Sequence, residues 1–160
     1  MDLSLFITQE GMDKIQRRIG HLMNNERPEV IKAVAIAREF GDLSENAEYK
    51  AAREKQRAID AEIDYLRKRA AYLKVVDTSS FPKDAIRFGT SCHTTDMDNG
   101  EELVFKVVGA DELNFCDDEG VQAVSVISPI GKALLGKKPG EVCVFRAPMG
   151  ERHLRVDTIL

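Results

Sequence analysis

Residues 41–54 read GDLSENAEYKAARE and separate two long segments that have the apolar periodicity of α-helices. A connection of only a few residues between two such segments predicts an antiparallel helical hairpin. Two acidic residues, Asp42 and Glu45, fall in this connection and therefore at the predicted tip. Mutually repelling charges on a solvent-facing turn contribute little to a core, so these residues either cap the second helix or carry a function.

Each flanking segment has one apolar stripe at helical spacing. Thr8 is the predicted N-cap of the first helix, Pro28 predicts a kink or restart, and Gly41 ends the first arm. The first stripe consists of Met12, Ile15, Ile19, Leu22, Val30, Ile31, Val34 and Ala37. The second is a heptad seam of Ala52, Gln56, Ile59, Ile63, Leu66, Ala70 and Leu73, as in a coiled coil. At about 1.5 Å per residue, Met12 to Gly41 predicts an arm of roughly 45 Å.

The chain beyond residues 77–82 loses the helical period and alternates like β-strands. We therefore predict an α+β protein with an N-terminal coiled-coil hairpin in residues 1–79 and a second domain in residues 80–160. Ser128, Pro129 and Gly136 predict one short helix, capped by Ser128. The predicted strands of an antiparallel sheet are residues 87–94, 102–108, 114–115, 121–127, 141–147 and 154–159, with Asn99-Gly100 turning the first hairpin.

The composition excludes several classes of protein. The chain has 160 residues, 43% of them hydrophobic, and a net charge of -4, without the basic excess of a nonspecific duplex binder. Its three cysteines are far apart, which argues against a disulfide framework or a structural zinc site. The N-terminus lacks a leader pattern, and the longest apolar run, residues 33–37, is far too short for a membrane span. We expect a soluble cytoplasmic protein.

The residue types of Asp42 and Glu45 fit two roles. Their spacing suits a capping box, in which Asp42 accepts from a backbone amide three residues on and Glu45 reaches back. Carboxylate oxygens also suit a hard divalent cation such as Mg²⁺, which takes only one or two protein carboxylates in many sites. Two acids cannot hold the ion tightly, so further ligands would have to come from another molecule. Both interpretations stay open at this point.

The segment GDLSENAEYKAARE, the hairpin around it, Arg38 before it and the later SPIGKALLG together resemble the bacterial transcript-cleavage factors of the Gre type. The resemblance is closer to the GreA branch than to the GreB branch and covers nearly the whole chain from Thr8. It implies a coiled coil that enters the secondary channel of RNA polymerase and an FKBP-like second domain that docks at the channel rim. A factor of this kind is not itself an enzyme, because it stimulates the polymerase's own cleavage of backtracked RNA.

The resemblance also implies roles for particular residues. Asp42 and Glu45 would place a Mg²⁺ ion and a water beside the polymerase's catalytic aspartates, so the protein would have no cofactor of its own. Arg38 and Arg53 would face the displaced 3′ end of the nascent RNA. The segment Ser128, Pro129 and Ile130 would meet the polymerase rim.

Alternatives remain for several of these residues. Arg38 and Arg53 also fit a solvated helix face with partners such as Glu39, Glu45 and Glu54, and Tyr49 fits packing across the hairpin better than stacking on a base. The segment after Ser128 equally suits a core. Two other functional classes are a prolyl isomerase, suggested by the second domain, and a polymerase-binding relative that occupies the channel without stimulating cleavage.

Overall fold

A computed structural model of the chain describes residues 2–41 and 46–160 and divides into two compact units. Asp13–Tyr72 form one unit, which we call the helical unit; Met1–Met12 and Leu73–Leu160 form the other, the sheet unit. The predicted boundary after residue 79 differs from this division, since both the N-terminal residues and the strand after the hairpin belong to the sheet unit. Over the ranges described, no helix is long and apolar enough to cross a membrane.

The helical unit is built from successive helices that form the predicted hairpin. The helical segments are α1 (Gln9–His21), a π-helical turn (Leu22–Glu26), α2 (Arg27–Arg38) and α3 (Ala47–Tyr72). Ala37 near the end of α2 is hydrogen-bonded to Asn46 just before α3, whereas Arg27 at the start of α2 is paired with Asp60 farther along α3. Contacts that run in opposite sequence directions show that α2 and α3 are antiparallel.

The apolar stripes predicted from the sequence face each other in this unit. The buried members are Ile15, Ile19, Leu22, Val30, Val34, Ala37, Ile59, Ile63 and Leu66. Ile31 is 41% exposed, because its neighbour Val30 takes the inward position. Ala52, Gln56 and Ala70 are only half-buried. The seam is thus confirmed in its middle and looser at its ends.

The interruption predicted near Pro28 takes the form of a π-helical turn. The amide of Arg27 donates to the carbonyl of Leu22, five residues earlier, and Pro28 then occupies the first turn of α2, where its missing N–H leaves no gap. Arg18 bridges this turn to α3 through Glu26 at 2.8 Å and Glu62 at 2.9 Å. The hydrogen bond with Glu62 raises the pKa of Arg18 above its ordinary value.

The sheet unit contains a five-stranded mixed sheet. Its strands are β3 (Ser91–Asp96), β4 (Glu102–Val108), β5 (Gln122–Ser125), β6 (Val142–Ala147) and β7 (Gly150–Ile159), in the order β5-β4-β3-β7-β6. The fold class is confirmed, but the sheet is not antiparallel throughout, because β5 runs parallel to β4. The strand predicted at residues 114–115 is wrong, since Ala110–Phe115 form a 3₁₀ helix that carries the chain across to β5.

One short helix, α4 (Pro129–Leu134), covers the sheet core. Ser128 caps it as predicted, with its Oγ accepting from the Gly131 amide at 3.1 Å. Gly136 follows with φ +85°, and its amide donates to the Ile86 carbonyl at 2.7 Å. Helix α4 contributes Leu134 to the core, whose other members are Ile86, Phe88, Cys92, Phe105, Val107, Val124, Val126, Cys143, Leu154 and Val156.

The N-terminus joins the sheet unit through a two-stranded parallel pair. Strand β1 (Phe6–Thr8) lies beside β2 (Lys74–Val76). The buried carboxylate of Glu112 accepts from the amide of Thr8 at 2.9 Å, from its hydroxyl, and from the Gly109 amide at 2.9 Å. The hydroxyl of Thr8 in turn accepts from the Gly11 amide at 3.0 Å, which confirms Thr8 as the N-cap of α1.

Candidate functional site

The hairpin tip is closed by a set of hydrogen bonds centred on Asn46. Its Oδ1 accepts from the backbone amide of Tyr49 at 3.0 Å, which makes Asn46 the N-cap of α3. Its Nδ2 donates to the carbonyl of Ala37 at 2.8 Å and so ties the start of α3 to the end of α2. Ala37 is buried, and its carbonyl also accepts from the amide of Phe40 at 3.2 Å. One carbonyl therefore anchors both sides of the turn.

This arrangement bears on the two roles considered for Asp42 and Glu45, which lie outside the described residues. The capping-box interpretation requires Asp42 to stand at the start of the second helix. Helix α3 instead begins at Ala47 with Asn46 as its cap, so the capping position is filled by another residue. Asn46 was not among the predicted caps, although asparagine ranks among the strongest N-cap residues.

The basic residues predicted to face RNA lie on both helices near this closure. Arg38 is exposed, and its guanidinium carbon lies 5.8 Å from the ring centroid of the half-buried Tyr49. Such a distance is typical of a cation–π contact, and the burial of the ring agrees with the packing interpretation of Tyr49. Arg53 is half-buried and donates to Gln56 Oε1 at 3.0 Å.

The ion pairs considered for these arginines do not form among the described residues. Glu54 pairs with Arg57 at 3.4 Å instead. Among the described residues, no side chain makes an ion pair with Arg38 or with Arg53. Their charges are therefore uncompensated within the described part of the tip, which suits attraction of a phosphate backbone.

The segment predicted to dock on a partner divides into structural and exposed positions. Ser128 uses its hydroxyl twice, accepting from Gly131 and donating to the Ser125 carbonyl at 2.6 Å. Ile130 is half-buried against the sheet core, whereas Pro129 is exposed. Ile127, which the sequence analysis did not single out, is 40% exposed directly before this segment. The apolar surface available for contact is therefore formed by Ile127 and Pro129 more than by Ser128 or Ile130.

The acidic side chains of the described residues do not form a metal site by themselves. Nowhere in residues 2–41 and 46–160 do three or more His, Cys, Asp or Glu side chains come together in a way that could hold an ion. The carboxylates of Asp42 and Glu45 are of the right chemical type for Mg²⁺, but two groups supply too few of its roughly six ligands. They could hold the ion only together with ligands from another molecule.

The described structure is thus a helical hairpin, joined by hydrogen bonds of Asn46 and Ala37, in a chain that also forms a sheet unit. Residues 5–75 match the family model described as "Transcription elongation factor, N-terminal", and residues 81–160 match "Transcription elongation factor, GreA/GreB, C-term". The chain therefore belongs to the GreA/GreB family of transcription elongation factors, and the resemblance seen in the sequence is confirmed.

Two transcription elongation factors named GreA agree with this assignment. The chain is 43% identical over 154 residues to the transcription elongation factor GreA of Maridesulfovibrio salexigens, covering 96% of this chain and 93% of that protein. It is 42% identical over 142 residues to GreA of Thermodesulfovibrio yellowstonii, covering 89% and 87%. Among solved structures, GreA factor homolog 1 (Gfh1) of Thermus thermophilus is 27% identical, covers 98% of both chains, and has a TM-score of 0.43.

Proposed function

We propose that this protein stimulates cleavage of backtracked nascent RNA by bacterial RNA polymerase, with its hairpin inserted into the polymerase secondary channel and its sheet unit docked at the channel rim. Membership of the GreA/GreB family supports a role in transcription elongation. The observation that carries the finer proposal is the Asn46 cap, because it removes the need for Asp42 or Glu45 at the start of α3. We therefore favour the catalytic interpretation of these two carboxylates over the capping interpretation.

In the proposed mechanism each residue of the tip has a separate task. Asp42 and Glu45 would contribute carboxylate oxygens to a Mg²⁺ ion shared with the polymerase. Bound Mg²⁺ supplies charge stabilisation for the attacking and leaving oxygens of phosphodiester hydrolysis. Arg38 and Arg53 attract the phosphates of the displaced RNA and hold its 3′ end near the tip. Ile127 and Pro129 supply apolar contact at the rim.

The proposal is tested with Asp42→Asn and Glu45→Gln, which keep side-chain size and lose the charge. We expect each variant to lose nearly all stimulated cleavage of 3′-labelled RNA in a stalled, backtracked elongation complex. Binding to polymerase and the urea unfolding midpoint should stay close to wild type, because the helix cap is intact. Asn46→Ser, which retains a capping oxygen, is the matched control and should retain cleavage.

The outcomes separate the competing roles. Variants that cleave normally but unfold at lower urea concentration would restore the capping role for the acids. A wild-type protein that binds the elongation complex and never increases cleavage would instead identify a factor that only occupies the channel.

A further inference from the structure

Phe40 is an aromatic residue at the hairpin tip that the core does not use. It is 70% exposed, whereas the other aromatic at the tip, Tyr49, is half-buried and packs beneath Arg38. Exposed single apolar residues are common on protein surfaces, so exposure alone carries no conclusion. The position of Phe40 and the charges around it supply the further evidence.

The backbone of Phe40 is held in place. Its amide donates to the Ala37 carbonyl at 3.2 Å, and the side-chain amide of Asn46 donates to the same oxygen at 2.8 Å. Phe40 therefore lies close to Asn46, because their two N–H groups share one acceptor, and its amide is bonded to the end of α2. An anchored backbone with an exposed ring has less conformational entropy to lose when a ligand packs against the ring.

The exposed Glu39 directly precedes Phe40, and two arginines supply positive charge to the helices beside it. Arg38 precedes it by two residues and is exposed, Arg53 lies on α3, and neither makes an ion pair with a described residue. Single-stranded nucleic acid is bound by this combination, in which a basic surface follows the phosphates and an aromatic ring stacks on a base. A purely apolar protein partner would gain nothing from these two arginines, which make no ion pair with a described residue.

We propose that Phe40 is a base-stacking residue, whose ring packs on an unpaired base of the displaced RNA and holds the RNA at the tip. The inference rests on the proposed function, since it requires extruded single-stranded RNA to reach the hairpin tip. The stack gives the factor a contact with the RNA that does not depend on the tip carboxylates. Because every base has a π-face, the contact is tolerant of RNA sequence.

The experiment compares Phe40→Ala, Phe40→Trp and Ile36→Ala on complexes backtracked by two nucleotides. Ile36 is the matched control, because it is apolar, 55% exposed, and one helical turn earlier on α2. Each protein is assayed on ordinary RNA and on RNA with an abasic nucleotide at one of the two extruded positions. The cleavage rate at saturating factor and the factor concentration for half-maximal rate are both measured.

We expect Phe40→Ala to lower the saturated cleavage rate by about tenfold on ordinary RNA, a typical effect of removing a stacked aromatic. Phe40→Trp should retain the wild-type rate, and Ile36→Ala should not change it. With RNA abasic at the stacked position, the difference between wild type and Phe40→Ala should nearly vanish. Melting temperatures should be equal, because Phe40 buries little surface.

Equal rates for wild type and Phe40→Ala on ordinary RNA would overturn the inference. So would an undiminished loss on both abasic substrates, or a change confined to the half-maximal concentration, which would indicate a contact with polymerase. If the wild-type protein stimulates no cleavage on any substrate, the proposed function fails and the inference fails with it. If the wild-type protein stimulates cleavage and Phe40→Ala stimulates it equally, only the inference about Phe40 is overturned.

Discussion

Asn46→Ala removes the residue that closes the hairpin tip, and its cost can be worked out from two hydrogen bonds. The loss of the acceptor for the Tyr49 amide removes a helix N-cap, worth about 1 kcal/mol. The loss of the donor to the Ala37 carbonyl removes a cross-hairpin bond, also worth about 1 kcal/mol. We therefore expect the free energy of unfolding to fall by about 2 kcal/mol.

Asn46→Asp separates the contributions of the two hydrogen bonds, because aspartate keeps the capping oxygen and lacks the amide donor. It should destabilise by about 1 kcal/mol, half the effect of the alanine variant. The assay is urea unfolding followed by far-ultraviolet circular dichroism, with Asp42→Asn as the reference that should match wild type. The reasoning is refuted if Asn46→Ala unfolds like wild type, or if Asp42→Asn is the more destabilised of the two.

Three further predictions follow from other contacts. Thr8→Val keeps the side-chain shape but loses the hydroxyl bonded to Glu112 and Gly11, so it should destabilise by about 2 kcal/mol in urea unfolding; an unchanged midpoint would contradict this. The backbone amide of Asp98 and the side chain of Arg152 lower the pKa of Asp96, so its carboxylate stabilises the fold above the ordinary value of about 3.9, and this contribution is lost as the pH falls through the lowered pKa. Asp96→Asn should therefore unfold more easily than wild type at pH 7, with the difference shrinking in acid, and a difference that grows on acidification would show the opposite linkage. Calorimetric titration of the free protein with Mg²⁺ should show binding only at millimolar strength or weaker, whereas a micromolar site would make the protein a metal binder in its own right.

Features set by local chemistry were predictable from the sequence. Thr8 and Ser128 are caps because a short hydroxyl side chain precedes an apolar helical stripe, and both were found in that role. The inward faces of the hairpin followed from the spacing of residues such as Ile59 and Ile63. Each of these features depends only on residues within one or two turns.

Features set by distant contacts were not predictable in the same way. The parallel pairing of β4 with β5 depends on the 3₁₀ helix between them. This 3₁₀ helix replaces the predicted strand, and its residue Glu112 accepts a hydrogen bond from Thr8, which is far away in the sequence. The cap at Asn46 was missed for another reason. Asp42 and Glu45 satisfy the capping-box spacing equally well in sequence, and only the position where α3 begins distinguishes the two possibilities.

The closure of the tip separates the folding of the arm from its proposed chemistry. Asn46 caps α3 and ties it to the Ala37 carbonyl at the end of α2, and both hydrogen bonds are made by described residues. Substitution of either acid should therefore leave a folded hairpin that still reaches its partner. If the proposed function holds, a relative that binds polymerase without stimulating cleavage should differ from a cleavage factor at the tip acids and not in its fold. Measurements of folding or of polymerase binding cannot tell the two apart, whereas the release of labelled RNA from a backtracked complex can.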